Sequence, residues 1–219
     1  MTRILLADDH KLIRSGIRMI LQSQADFEIV GEAEDGAQAV DLARSLSPDV
    51  VLMDVQMPGL DGLDATQQIT ATSDCLVLVL TTFNREDYLF QALQAGASGF
   101  LLKNAAPEDL ISAVRVVARG DALLAPELTR RLFDRFATRP VSTQRPDLLD
   151  QLTDREEQIL RLLAGGSSNA EIAGRLFVGE ATVKTHVSRV LNKLRLRDRV
   201  QAVVYAYETG VVTPGDNAP

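Results

Sequence analysis

Five short apolar runs alternate with helix-length amphipathic segments over the first 120 residues of this chain. Ile4–Ala7, Ile29–Ala33, Val50–Met53, Leu76–Leu80 and Gly99–Leu102 read as strands. His10–Gln22, Gly36–Leu46, Gly62–Thr70, Glu86–Ala95 and Pro107–Arg119 carry apolar residues at three- and four-residue spacing and read as helices. Pro107 suits a first helical turn, and Gly120 suits a helix stop. Five βα units in a row imply a parallel sheet covered on both faces. Right-handed crossovers then bring all the strand carboxyl ends to one rim, where open α/β sheets bind ligands.

The residues expected at that rim are chemically unusual. The first strand ends in Asp8-Asp9, the third in Asp54, the fourth in Thr81-Thr82 and the fifth in Lys103. Each alone has an ordinary reading: an aspartate before a turn often caps it, and a threonine suits a strand. Together, three carboxylates repel unless a cation sits among them. Oxygen donors with open water positions suit Mg²⁺ better than zinc. A hydroxyl and an ammonium beside them suit a phosphoryl group. The set predicts a metal-assisted phosphoryl acceptor with Asp54 as the nucleophile.

These residues resemble the receiver domain of response regulators. Asp8-Asp9, Asp54 followed by Met57-Pro58-Gly59 and Asp61-Gly62, Thr81, and Ala95-Gly96-Ala97-Ser98-Gly99-Phe100 ending in Lys103 match that family's pattern over residues 2–120. The resemblance implies a flavodoxin-like (βα)5 fold with sheet order 2-1-3-4-5. It implies that Asp54 takes phosphate from a histidine kinase. Asp9, Asp54 and the backbone carbonyl of Gln56 would hold Mg²⁺, with Asp8 assisting through water. Thr81 and Lys103 would contact the phosphoryl oxygens, and Phe100 would be the aromatic switch residue, turned inward on phosphorylation. Thr81 is preferred to Thr82 because it lies 22 residues before Lys103, the family spacing.

Charge divides the chain. Residues 1–125 hold 9 Lys and Arg against 18 Asp and Glu, whereas the remainder holds 14 against 12. Within it, Arg175–Arg199 has seven basic residues and two acidic ones. An acidic front and a locally basic back predict two domains with different partners. A receiver at 1–120 and a second domain at 150–219 are expected, joined by a linker at 121–149. Pro126, Pro140 and Pro146 interrupt that linker, and Leu128–Phe136 reads as a short helix within it. The single cysteine, Cys75, opens an apolar run and reads as a buried small hydrophobe. One cysteine, no signal-like leader and no membrane-length apolar run make a cytoplasmic protein the expectation.

The back half opens with two capping boxes, Thr153…Glu156 and Ser168…Glu171. Helices are expected from each to about Ala164 and Leu176, then from Gly179 to Leu194 and from Asp198 to Thr209. The short helix and its successor have the spacing of a helix-turn-helix. Val183, Val187, Val190, Leu191 and Leu194 form the apolar face of the third helix. Thr185, Ser188, Arg189 and Asn192 lie opposite, with Lys184 at the edge. Such a helix can enter a major groove, although an amphipathic helix with one solvated face looks the same in isolation. Arg189, Lys193, Arg195, Arg197 and Arg199 continue the positive charge. Neither His10 nor His186 has companions that suggest a metal site.

Leu152-Thr153 with Arg155-Glu156, Ser168-Asn169 with Glu171-Ile172-Ala173, Thr182–Val187, and Lys193-Leu194 with Arg197 and Arg199 resemble the LuxR-type helix-turn-helix. That resemblance implies a small all-α four-helix domain that binds double-stranded promoter DNA. Lys184, Thr185 and Ser188 would contact bases, and Arg189 and Lys193 would contact phosphates. The fourth helix would dimerise, at least when the protein is phosphorylated, and RNA polymerase is a further candidate partner. Joined to a receiver, it implies a NarL/FixJ-class transcription regulator of a two-component system, not an enzyme. A haloacid-dehalogenase-type enzyme would need a second acid two residues after Asp54, where this chain has Gln56. A regulator that uses its receiver only to dimerise, without phosphorylation, is the other alternative.

Overall fold

A computed structural model describes residues 1–82, 86–120 and 148–212. The chain separates into two compact units, Met1–Leu123 and Leu124–Pro219. Phe83, the three linker prolines and the Leu128–Phe136 segment lie outside the described residues.

In the first unit the alternation becomes β1 (Thr2–Ala7), α1 (Lys11–Gln22), β2 (Phe27–Ala33), α2 (Gly36–Leu46), β3 (Val50–Asp54), α3 (Gly62–Thr72), β4 (Leu76–Thr81), α4 (Glu86–Gln94), β5 (Gly99–Leu102) and α5 (Pro107–Ala118). The strands pair in parallel in the order β2-β1-β3-β4-β5. All five residues of β3 are buried, as a central strand covered on both faces must be. One apolar layer joins Ile4, Leu6, Val50, Leu52, Leu78 and Leu80 to Leu110, Val114 and Val117 of α5. Cys75 is buried and free.

Local signals set the helix starts. The Asp35 carboxylate accepts from the Gln38 amide at 2.8 Å, and the Asp61 carboxylate accepts from Leu63 and Asp64 at 2.9 Å. These are N-caps that satisfy otherwise orphaned first-turn donors. Gly62 is required by packing: a Cβ there would lie 1.7 Å from the Asp54 carbonyl oxygen. Register aligns the strand ends, pairing Asp54 with Leu80 and Thr81 with Leu102. Lys103 follows immediately and donates its N–H to the Thr81 carbonyl at 2.7 Å.

The second unit contains a 3-10 turn at Leu149–Gln151 and four helices, α6 (Asp154–Ala164), α7 (Asn169–Leu176), α8 (Glu180–Leu194) and α9 (Arg199–Glu208). Both capping boxes form completely. Ile159, Leu163, Ile172, Ala173 and Val183 make the core between α6, α7 and α8. The turn before α8 passes through Phe177, a non-glycine residue with φ 53°, which is 95% exposed. No helix among the described residues is long and apolar enough to cross a membrane.

Candidate acidic site and nucleic-acid interface

Asp54 ends β3 and is 4% exposed; Asp8 and Thr81 are each 2% exposed. Asp9 is half-buried. The Lys103 ammonium lies 2.6 Å from Asp8 Oδ2 and 2.7 Å from Asp54 Oδ2. One buried cation therefore serves two buried anions. Burial pushes the Asp54 carboxyl above its ordinary value; the charge of Asp8 adds to the push, and Lys103 and the Gln56 backbone N–H oppose it. Gln56 itself is exposed.

Asp8, Asp9, His10 and Asp54 bring one donor atom each to within 4.8 Å of one another. His10 thus does have companions, contrary to the sequence reading. The turn after β1 folds back, so that His10 donates its N–H to Asp8 Oδ1 at 2.8 Å and sets Nδ1 2.6 Å from Asp9 Oδ1. Adjacent residues in a sequence give no hint of such a reversal.

Phe100 is 3% exposed. Its ring is therefore packed inside the first unit.

The sequence reading missed Arg14. Its guanidinium is buried against Glu32 Oε2 at 2.8 Å, Glu34 Oε1 at 2.7 Å and the Asp8 carbonyl at 2.6 Å. The available signal was its position on the inward stripe of α1, three and seven residues before Ile17 and Leu21. An arginine on a core-facing stripe needs buried acceptors.

In the second unit Lys184, Thr185, Ser188 and Arg189 are all exposed on α8. The Thr185 and Ser188 hydroxyls donate back to the Ala181 and Lys184 carbonyls at 3.0 and 3.1 Å, and each oxygen keeps its capacity to accept a hydrogen bond. Lys184 stands 3.8 Å from Glu180, a loose exposed pair.

The other basic residues do not form one strip. Lys193 is engaged internally, donating to Glu156 Oε2 at 2.6 Å and to the Gln151 carbonyl at 2.9 Å. Burial works against the Glu156 carboxylate, but Lys193 and the Thr153 cap outweigh it and hold the carboxyl down to about 2. Arg199 is buried and donates to Asn169 Oδ1 at 3.1 Å and to the Ser167 carbonyl. These two side chains tie α8 and α9 to the rest of the unit, which the spacing of basic residues alone could not distinguish from phosphate contact. Seven of the ten α9 residues are buried, Val203 and Val204 among them.

Two family models match, at residues 4–115 for the response regulator receiver domain and at 150–206 for the bacterial regulatory proteins of the luxR family. This chain is a response regulator of the LuxR family. It is 42% identical over 211 residues to the transcriptional regulatory protein YxjL of Bacillus subtilis, covering 96% of this chain and 97% of that one. It is 40% identical over 213 residues to the transcriptional regulatory protein LiaR of the same organism, covering 97% and 100%. Among solved structures it is similar to the response regulator ChrA of a heme-sensing two-component system. That match has 37% identity, a TM-score of 0.52, and coverage of 96% of this chain and 98% of that one. As a response regulator of the LuxR family, the chain is a DNA-binding member of a two-component system. Its luxR-family match spans α6, α7 and α8 and most of α9.

Proposed function

We propose that this response regulator accepts a phosphoryl group on Asp54 from a sensor histidine kinase. The phosphoryl group then controls dimerisation and binding to promoter DNA. The observation that carries the reading is the buried Asp54 carboxylate held with Asp8 on a single lysine. An Asp54 oxygen attacks phosphorus as the bond to the kinase's histidine nitrogen breaks, and that nitrogen keeps the electron pair. The product is an acyl phosphate. Lys103 is proposed to contact a phosphoryl oxygen, and Thr81, at the next strand end, to supply a hydroxyl.

The carboxylates of Asp8, Asp9 and Asp54 are hard oxygen donors that fit Mg²⁺, with the Gln56 carbonyl as a further ligand. When bound, the ion neutralises charge that develops on the transferring group. Phosphorylation is proposed to shift the population of arrangements of α4, β5 and α5, with Phe100 as the switch residue. Dimerisation is proposed through α9, whose Gln201, Tyr205 and Glu208 are not buried.

The receiver occupies 1–120, the linker 121–149 and the DNA-binding domain 150–219 in this proposal. Base contacts come from Lys184, Thr185 and Ser188, and a phosphate contact from Arg189. Lys193 is not included, because its ammonium is already held by Glu156. Work would take place in the cytoplasm, with RNA polymerase as a further partner at the promoter. The test compares wild type with Asp54→Asn after treatment with acetyl phosphate and Mg²⁺, measuring oligomeric state and promoter affinity. Wild type is expected to change both and Asp54→Asn neither. Equal behaviour would favour a receiver that works without phosphorylation.

A further inference from the structure

We infer that Arg14 is a positioning residue of the acidic site, holding the β1–α1 turn so that Asp8 and Asp9 can bind a divalent cation together with Asp54. This rests on the proposed phosphoacceptor reading. Arg14 touches none of the three carboxylates. Its contact is with the main chain between them: Nη1 donates to the Asp8 carbonyl oxygen at 2.6 Å, in a buried setting.

That carbonyl belongs to the residue where β1 stops and the turn begins. The Asp8 N–H donates to the Ala33 carbonyl at 3.2 Å, and Asp8 Oδ1 accepts the His10 N–H at 2.8 Å. Lys103 holds Asp8 Oδ2 at 2.6 Å, and Arg14 supplies the side-chain anchor on the main-chain carbonyl. Without it, the peptide joining Asp8 to Asp9 loses its only side-chain donor among the described contacts, and both carboxylates pivot on that peptide.

The geometry of the guanidinium explains why an arginine is needed. Nε goes to Glu32, Nη2 to Glu34 and Nη1 to Asp8, so three nitrogens of one rigid plane reach three acceptors in different directions. A lysine offers one nitrogen and cannot reach all three. Glu32 and Glu34 come from β2 and its end, the strand that pairs with β1. Arg14 thus pins the metal-side turn to the neighbouring strand. Glu32 is held in turn by Arg18, which leaves Arg14 little freedom to swing away.

The test follows Mg²⁺ binding to the unphosphorylated full chain through the amide chemical shifts of Asp9 and Asp54. Three proteins are compared: wild type, Arg14→Lys, and Arg14→Met combined with Glu32→Gln. The last removes the buried charge with one partner, limiting the cost of an unpaired anion. Losing an outer support of a metal site weakens affinity by about tenfold to a hundredfold. About tenfold is expected in both variants, because Arg14 holds main chain and not a ligand side chain. Arg14→Lys, which keeps the charge, is expected not to rescue. Wild-type affinity in both variants overturns the inference, as does weakening found only where amide dispersion is also lost. If wild type itself shows no Mg²⁺-dependent shift at Asp54, the acidic-site reading fails, and the role of Arg14 fails with it.

Discussion

The Lys103 ammonium lies 2.7 Å from Asp54 Oδ2 while also holding Asp8 Oδ2 at 2.6 Å. Replacing Lys103 by Met leaves two buried carboxylates facing each other. Removing one partner of a buried ion pair costs about 3–5 kcal/mol. Calorimetry of Lys103→Met in chelator is expected to show a large drop in the receiver transition. Added Mg²⁺ should raise that transition more than it raises the wild-type one. Equal Mg²⁺ effects would contradict a shared cation site.

Asp54 gives a pH signature. Its carboxyl is raised above the ordinary 3.8, mainly by burial. A raised folded-state value means the folded protein binds that proton more tightly than the unfolded chain. Stability therefore falls as pH rises from about 3.8 through the raised value and stays lower above it. Asp54→Asn lacks this loss. In chelator, its melting temperature relative to wild type should climb across that window and then level off. A difference that does not vary with pH would count against the strain assigned to Asp54.

Glu156 has the opposite sign. Its folded value of about 2 lies below the ordinary 4.5, so its contribution is fully present above 4.5 and is lost as pH falls toward 2. Lys193→Met removes the main partner of a carboxylate that is 3% exposed. A loss of about 1–3 kcal/mol is expected. Hydrogen exchange of the α6 amides in the full chain measures it locally, and unchanged protection would show the pair to be incidental.

Much of this architecture was legible in the sequence, and the limits were physical. Strand runs and caps are local, so the five strands and both capping boxes followed from residues close together, whereas the sheet order came only with the receiver resemblance. The rim also followed, because parallel topology puts Asp8, Asp54, Thr81 and Lys103 at the same edge. What escaped depends on distant packing. Arg14 meets Glu32 and Glu34, and Lys193 meets Glu156 across 37 residues. The inward Phe100 is a choice between packed states, which composition does not encode. The basic residues after Arg189 looked alike in sequence, yet Arg199 is buried while Arg195 is exposed.

Gly62 makes a steric case. Alanine there would drive a Cβ to 1.7 Å from the Asp54 carbonyl oxygen, so the backbone at one of the two residues must shift. Gly62→Ala is expected to cost about 1–3 kcal/mol from overpacking. It should also slow phosphoryl uptake by displacing Asp54. Thermal melts and acetyl-phosphate labelling check both effects, and a variant with wild-type values of each would refute the close approach.

On α8, Arg189→Ala should weaken binding evenly across DNA sequences and reduce the salt slope by about one. Lys184→Ala should instead relax discrimination at one base position, by about 1–3 kcal/mol. Titrations at several salt concentrations, on matched and mismatched sites, separate the two. Identical profiles would remove the distinction between a phosphate contact and a base contact.

The most direct measurement is the mass of the full chain, and of its peptides, after incubation with acetyl phosphate and Mg²⁺. Wild type should gain a single phosphoryl group located on Asp54, and Asp54→Asn should gain none. A wild type that gains nothing, or an Asp54→Asn variant that gains as much, would contradict the account at its centre.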